Sequence, residues 1–454
     1  MTASTAPPPR RPASKAKMVF SVNLGNALEW YDWTVFAIFA GYFAGDFFHT
    51  GNEVSNLLSA LAVFAVGFVM RPIGGIVFGR LADRRGRGLV LLVTMSLVAL
   101  SSLMIAVGPT YGSVGVLASA WLVLARCLQG FAHGGEMGGS YTYIAELAKP
   151  RNRGLWGSTL IMSNVLGTVL ATLLGALLRL GLGERALNDW AWRIPFLLGG
   201  LLGLVALYLR RTLQEPEVFS ESRKTAAPPS SGDLVRNMWA ERASVVRVVV
   251  FVAGTGVFSY AWSVSAPAYA TSFYGVDGGA AMWAGVGANL VFIAALPLAA
   301  MLSDRIGRRA NFMIWGAGVA VLAFPLSWLL GPSGWSLLLA MSLALVVQAF
   351  GGGIQVAWFA ELFSTRARAT GVGLAASVSA AVFGGTAPYL NAWLTDKGLA
   401  HVFTWYVIVL AVLSAVVAYR TPETRHAELG GPAGGPAVPS ADAGPAGSPR
   451  LRTE

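Results

Sequence analysis

The sequence predicts an all-α membrane protein in which twelve transmembrane helices form two pseudo-symmetric bundles of six. Of its 454 residues, 55% are hydrophobic and 12% charged, where a soluble domain carries roughly a quarter charged residues. Apolar stretches recur from Met18 to about Arg420, each near the roughly 20 residues that a hydrocarbon core of about 30 Å requires. The positive charge is one-sided. With the segment before Met18 placed inside and the spans alternating, 27 of the 33 Lys and Arg residues fall in internal segments, against Arg179, Arg185, Arg193 and Lys397 outside. That is the asymmetry that orients membrane helices. The net charge of +11 therefore reads as topology and not as nucleic-acid binding, and both termini are predicted to be cytoplasmic.

Residues 1–17 form a basic cytoplasmic tail, and the first span, 18–47, is too long and too acidic, with Glu29 and Asp32, to be a cleaved leader. Spans at 55–78, 89–108, 113–145, 155–179 and 192–211 complete an N-terminal bundle, 18–211. A polar cytoplasmic linker, 212–245, contains Pro228, Pro229, Ser230, Ser231 and Gly232. The C-terminal bundle, 246–420, has spans at 246–273, 281–302, 311–330, 335–361, 369–394 and 401–420. Each span is expected to be helical, because backbone polar groups in lipid must be satisfied within the segment. The tail, 421–454, is rich in Pro, Gly, Ala and Ser without a heptad pattern, which predicts a disordered cytoplasmic segment. The sole cysteine, Cys127, provides neither a disulfide nor a thiolate metal site.

The halves repeat each other. Leu81-Ala82-Asp83-Arg84-Arg85-Gly86-Arg87 is matched by Leu302-Ser303-Asp304-Arg305-Ile306-Gly307-Arg308 at an offset of 221. Ala145-Glu146-Leu147 with Arg151 and Arg153 is matched by Ala360-Glu361-Leu362 with Arg366 and Arg368 at an offset of 215. Two motifs repeated in order imply a duplicated six-helix unit, the parallel-repeat plan with a midplane site between halves.

Gly79, Asp83, Arg84, Gly86 and Arg87 resemble the loop signature of the major facilitator superfamily, departing at Gly88, where a basic residue is usual. Further runs resemble its metabolite:proton symporters, which are similar to sugar porters in their loops. These are Gly25-Asn26 with Glu29-Trp30-Tyr31-Asp32, Arg71-Pro72-Ile73-Gly74-Gly75, Arg126-Cys127-Leu128-Gln129-Gly130 with Gly134-Gly135-Glu136, and Trp192-Arg193-Ile194-Pro195-Phe196. The resemblance is tight over residues 20–220 and looser beyond. It implies the major facilitator fold and alternating-access transport in a cell inner membrane. The paired span-seven glutamines of sugar porters are missing, which disfavours hexose.

Charges within spans need a reason, since an ionised Asp or Arg at the bilayer centre costs roughly 2.5 to 3.5 kcal/mol. Glu29 and Asp32 share a face of span one, and helix rise places Asp32 and Arg126 at similar depths, roughly 15 to 20 Å from their respective helix ends. They are expected to meet, and the resemblance assigns such a pair to proton coupling; a permanently ionised structural pair is the alternative. Arg126, Gln129, His133 and Glu136 form one polar stripe, in which His133 either relays protons or bonds Glu136. Arg71 has two readings, a fork for a substrate carboxylate or a helix-end anchor. Asn164, Asn289, Gln348 and Gln355 are candidate cavity ligands, or else bonds to neighbouring helices. The glycines around Arg71 and from Gly130 to Gly138 favour close helix packing. At the cytoplasmic surface, Asp83, Arg84, Arg87, Glu146, Arg153, Asp304, Arg308, Glu361 and Arg368 are expected to form a charged gate, a network that also serves topology.

No GxxxxGK[ST] signature is present, so an ion gradient, protons first, is the expected energy source. No cofactor, metal or enzymatic activity is expected, and the chain is expected to act as a monomer in the bilayer. The expected function is proton-coupled uptake of a small organic acid: a dicarboxylate, a keto acid or a shikimate-like acid. The alternatives are uptake of zwitterionic osmolytes such as proline or betaine, export of hydrophobic compounds, and a membrane-bound sensor.

Overall fold

The computed structural model describes residues 15–85, 87–134, 137–212, 236, 238–365 and 367–429, and every regular element among them is helical. The first half contains α1 (Lys15–Phe47), α2 (Glu53–Arg85), α3 (Arg87–Ala106), α4 (Val116–His133), α5 (Met137–Leu147), α6 (Arg153–Ala186) and α7 (Arg193–Thr212). The second contains α8 (Arg242–Ser259), α9 (Ala266–Tyr274), α10 (Gly278–Ile306), α11 (Arg308–Leu329), α12 (Gly334–Gly352), α13 (Gln355–Glu361), α14 (Arg368–Ser379), α15 (Ala387–Asp396) and α16 (Ala400–Arg420). Among the described residues, nine stretches are long and apolar enough to cross a bilayer, and Leu92–Ala106 and Arg193–Val205 are shorter apolar helices.

Spans expected to be single rods are broken where the sequence cannot keep a regular hydrogen-bond ladder. A wide π turn, Tyr260–Val264, separates α8 from α9, and a second, Ala380–Gly384, stands between α14 and α15. Pro267 and Pro388 follow these turns in the first turn of the next helix, where a missing N–H does no harm. Gly307, at φ +105, divides α10 from α11, a backbone geometry that suits glycine alone. The Asp277 carboxylate caps α10 by accepting from the Ala280 N–H at 2.9 Å.

Helices pack within each half, α1 on α6, α2 on α4 and α3 on α7 in the first, α10 on α12 and α11 on α16 in the second. The halves meet chiefly through α6 on α10 and α5 on α14. Glycine sets the α2–α4 distance: a Cβ on Gly130 would strike the Gly67 carbonyl, and one on Gly134 would strike that of Arg71. The packing reading of these glycines holds. Large apolar side chains cover the outside, and Trp328 and Trp335, at adjacent ends of α11 and α12, are 78% and 79% exposed. In water such a surface would aggregate; in lipid it is the solvated face, with aromatic residues near its rims. The chain is a multi-pass membrane protein.

Candidate functional site

Asp32 lies on α1, 3% exposed. Its two carboxylate oxygens accept from Ser102 Oγ of α3 and from Gln129 Nε2 of α4. A Cβ on Gly199 would come within 2.8 Å of the carboxylate, so α7 yields room there. Gln129 Oε1 in turn accepts from Arg126 Nη1. The expected direct meeting of Asp32 with Arg126 is therefore replaced by a relay through an amide. Residues three apart on a helix stack on one face, and the shorter glutamine occupies the gap. The Arg126 guanidinium turns into an aromatic cage, 4.2 Å from the Trp33 ring centre and 4.3 Å from that of Phe36. Its Nε and Nη2 have no hydrogen-bond partner among the described residues. Cation–π contact, about 0.5 to 2 kcal/mol apiece, takes their place.

Arg71 flanks the other side of Trp33, 3.9 Å from its ring centre and 4.5 Å from that of Phe68. It is 5% exposed and lies well inside α2, which disfavours a helix-end anchor. Among the described residues the guanidinium makes no ion pair, and its Nε has no hydrogen-bond partner. His133 Nδ1 is 2.8 Å from Glu29 Oε1. The stripe thus closes onto α1 through a contact the sequence did not indicate; Glu136, the partner expected for His133, lies outside the described residues.

Arg71 borders two cavities between the halves. The smaller, about 10 Å³, is also lined by Asn26, Glu29, His133 and Asn164. The larger, about 100 Å³, is lined from the first half by Trp30, Tyr141, Asn164 and Thr168, and from the second by Thr255, Tyr260, Phe292, Gln348, Gln355 and Phe359. Asn164 accepts from Asn26. Gln348 accepts from Trp315 Nε1 at 2.9 Å and donates to the Thr255 carbonyl at 3.0 Å. Gln355 donates to Thr255 Oγ1 at 2.8 Å. Asn289 follows the second of its two readings. It is fully buried, absent from the described cavity walls, and bonded to Ser263 and to the Gly285 carbonyl. It bonds neighbouring turns because the Tyr260–Val264 π turn packs against α10 at this point.

At the end bearing the repeated loops, Arg153 Nη1 is 2.9 Å from Glu361 Oε1 and Arg368 Nη1 is 2.8 Å from Glu146 Oε1, both across the halves. Arg308 bonds Glu361 at 3.2 Å and Asp304 at 2.7 Å. The Asp304 carboxylate accepts from the Gly154 and Leu155 N–H groups at 3.0 Å each, an anion at the start of α6. The side chains of Asp83, Arg84 and Arg87 lie outside the described residues. The tail departs from expectation over 421–429. Thr424 Oγ1 donates to Glu361 at 2.7 Å, the Ala427 carbonyl accepts from Arg153 at 2.8 Å, and the Leu429 carbonyl accepts from Arg368 at 2.7 Å. Residues 430–454 lie outside the described residues.

At the opposite end, Arg179 of α6 reaches Glu184 at 2.7 Å and Asp277, the cap of α10, at 2.8 Å. The Ala280 N–H holds the Asp277 carboxyl below the usual carboxylate range against the opposing effect of burial, and the Arg179 guanidinium adds to the lowering. In the sequence Arg179 stands only as an external charge, Trp33 is signalled by following Asp32 directly, and nothing in the spacing marks Ser102.

Comparison with known proteins places these features in a lineage. A family model described as Major Facilitator Superfamily matches residues 22–277, and one described as Sugar (and other) transporter matches residues 221–431. The alpha-ketoglutarate permease of Escherichia coli K12 is 36% identical, over 88% of this chain and 92% of that protein. The citrate-proton symporter of Salmonella typhi is 33% identical, over 82% and 86% respectively. The proline/betaine transporter of Escherichia coli K12 is 30% identical, over 91% and 85%. Among solved structures, the xylose transporter XylE from E. coli, in a partially occluded inward-open conformation, superimposes with a TM-score of 0.70 at 20% identity, covering 90% of this chain and 98% of that one. That likeness speaks for the fold alone.

Proposed function

This chain belongs to the major facilitator superfamily, and from that premise we propose that it is a proton-coupled symporter importing a small organic acid by alternating access. The observation that carries the reading is the Arg71 guanidinium, buried, without an ion pair among the described residues, bordering a cavity between the halves and sharing the Trp33 ring with Arg126 of the Asp32–Gln129–Arg126 relay. A buried guanidinium whose donors meet no carboxylate directly is incompletely stabilised, and a substrate carboxylate supplies that direct partner in a bidentate fork.

In the proposed cycle Asp32 takes a proton from the outside, Arg71 engages the carboxylate, the halves rock, and Asp32 releases its proton inside. Glu29 and His133 hand protons between the small cavity and α1. Asn164, Gln348 and Gln355 orient the substrate body. The Glu146, Arg153, Asp304, Arg308, Glu361 and Arg368 network acts as the cytoplasmic gate. The nine long spans, the two shorter apolar helices and α1 make twelve crossings of the bacterial inner membrane, with both termini cytoplasmic and the carrier working as a monomer. The two relatives that carry organic acids support this reading.

A second reading, a carrier of zwitterionic osmolytes, draws on Glu29 standing beside Arg71 at the smaller cavity and on the proline/betaine relative. Uptake into proteoliposomes across a carboxylate, amino-acid and betaine panel, with and without an inward proton gradient, decides between them. The organic-acid reading predicts accumulation of carboxylates only with the gradient, and its loss in Arg126→Ala. Accumulation of betaine or proline in their place would transfer the assignment to the second reading.

A further inference from the structure

The larger cavity carries its formal charge at a single place. Arg71 is the cation, and the described wall contains no Asp, Glu, Lys or His. Glu29 and His133 border only the smaller cavity, where they engage each other at 2.8 Å. Asp32 and Arg126 are 3% and 0% exposed, joined to each other through Gln129, and form no part of that wall. Resting on the organic-acid reading above, we infer that the substrate is a monocarboxylate with an uncharged, oxygen-bearing body, and neither a dicarboxylate nor a zwitterion.

A charge taken out of water needs a counter-charge in the wall. One carboxylate is matched by the planar fork of Arg71. A second would lie against dipoles only, and those dipoles are partly committed: an amide hydrogen of Gln348 goes to the Thr255 carbonyl at 3.0 Å and one of Gln355 goes to Thr255 Oγ1 at 2.8 Å. An ammonium group in the larger cavity would face no described carboxylate. An uncharged body meets none of these penalties. Trp30, Tyr260, Phe292 and Phe359 offer it flat apolar walls, while Asn164 and Thr168 offer groups for a hydroxyl or keto oxygen. The space is also small. A cavity of about 100 Å³ is several times the minimum that holds one water, the space of a small solute such as a short hydroxy or keto acid.

The test uses the purified full chain and compounds matched on one carbon skeleton. Each set contains a monocarboxylate amide, the dicarboxylate, the amino acid and the neutral diamide, on four-carbon, five-carbon and six-membered-ring frames. Affinities are read from the concentration dependence of the thermal unfolding shift. On every frame that binds, the monocarboxylate is expected to be tighter than the dicarboxylate and the amino acid by at least about ten-fold, or about 1.4 kcal/mol. Arg71→Gln is expected to remove the shift, Arg71→Lys to keep the ranking at weaker affinity, and Gln355→Lys to bring the dicarboxylate up towards the monocarboxylate. A dicarboxylate that binds wild type as tightly as its monocarboxylate partner overturns the inference while leaving the organic-acid reading standing. Tightest binding by the amino acid, equal binding by the diamide, or no binding by any carboxylate overturns both.

Discussion

Between the Asp32 carboxylate and the Arg126 guanidinium stands the Gln129 amide, which donates to the first and accepts from the second. The chemistry of the three partners tells which oxygen takes a proton. Gln129 Nε2 can only donate, whereas the Ser102 hydroxyl can donate or accept. Protonation on the Ser102 side therefore needs only a turned hydroxyl, and the remaining oxygen still accepts from Gln129. In Asp32→Asn the amide nitrogen can occupy the same place, donating to Ser102 while the oxygen accepts from Gln129, so the variant keeps the protonated pattern without exchanging a proton. It is expected to fold and to exchange labelled for unlabelled substrate within about ten-fold of the wild-type rate, since one altered hydrogen bond is worth roughly 1 kcal/mol. Counterflow in proteoliposomes measures this, and complete loss of exchange would mean that the carboxylate is needed for transport itself and not only for coupling.

At the scale of elements, close approach and end contacts set what can move. The α2–α4 contact leaves no room at Gly130, where an added Cβ would strike the Gly67 carbonyl, whereas one on Gly112 would meet nothing within 4 Å. Gly130→Ala is expected to destabilise the protein by about 1 to 3 kcal/mol and Gly112→Ala to leave the melting temperature in detergent nearly unchanged. Equal effects would mean that α2 and α4 slide apart freely. The Arg179–Asp277 contact joins α6 to the start of α10 at 2.8 Å. Because the Asp277 carboxyl is held below its usual range, its contribution is complete above the ordinary carboxylate pKa of about 3.9 and is lost only as the pH falls through the lower, folded value. A pH near 5 at this end thus leaves the contact intact. With Asp277 mostly exposed, the contact is worth at most about 1 kcal/mol, so Asp277→Asn is expected to raise labelling of a cavity cysteine (Ser263→Cys in a Cys127→Ser background) up to about five-fold from that end. Labelling that rises equally at pH 5 in the unaltered background would contradict this.

Across the whole molecule, what the sequence revealed and what it concealed divide by the range of the interactions involved. Helical spans and the repeated loops are written in contiguous residues, so apolar length and the 221-residue offset made them legible. Asp32, Arg126, Arg71 and Gln129 stood out because charge and amide groups in apolar helices are conspicuous. Which of them touch depends on how α1, α3 and α4 pack, and so the amide between acid and base was not readable. The breaks before Pro267 and Pro388, the seating of 421–429 on Arg153, Glu361 and Arg368, and the saturation of Asn289 are likewise tertiary. Contacts tie the halves at both ends, Arg153–Glu361 and Arg368–Glu146 at one and Arg179–Asp277 at the other, with the cavity between. Passage through such an arrangement requires the ends to open in turn, and the account stands or falls on whether a proton on Asp32 accompanies each passage. Lightly buffered proteoliposomes with a pH indicator outside report this when a transported carboxylate is added. The medium is predicted to turn alkaline as wild-type protein carries the acid inward and to stay unchanged with Asp32→Asn, whereas an equal alkaline shift with Asp32→Asn would contradict the account.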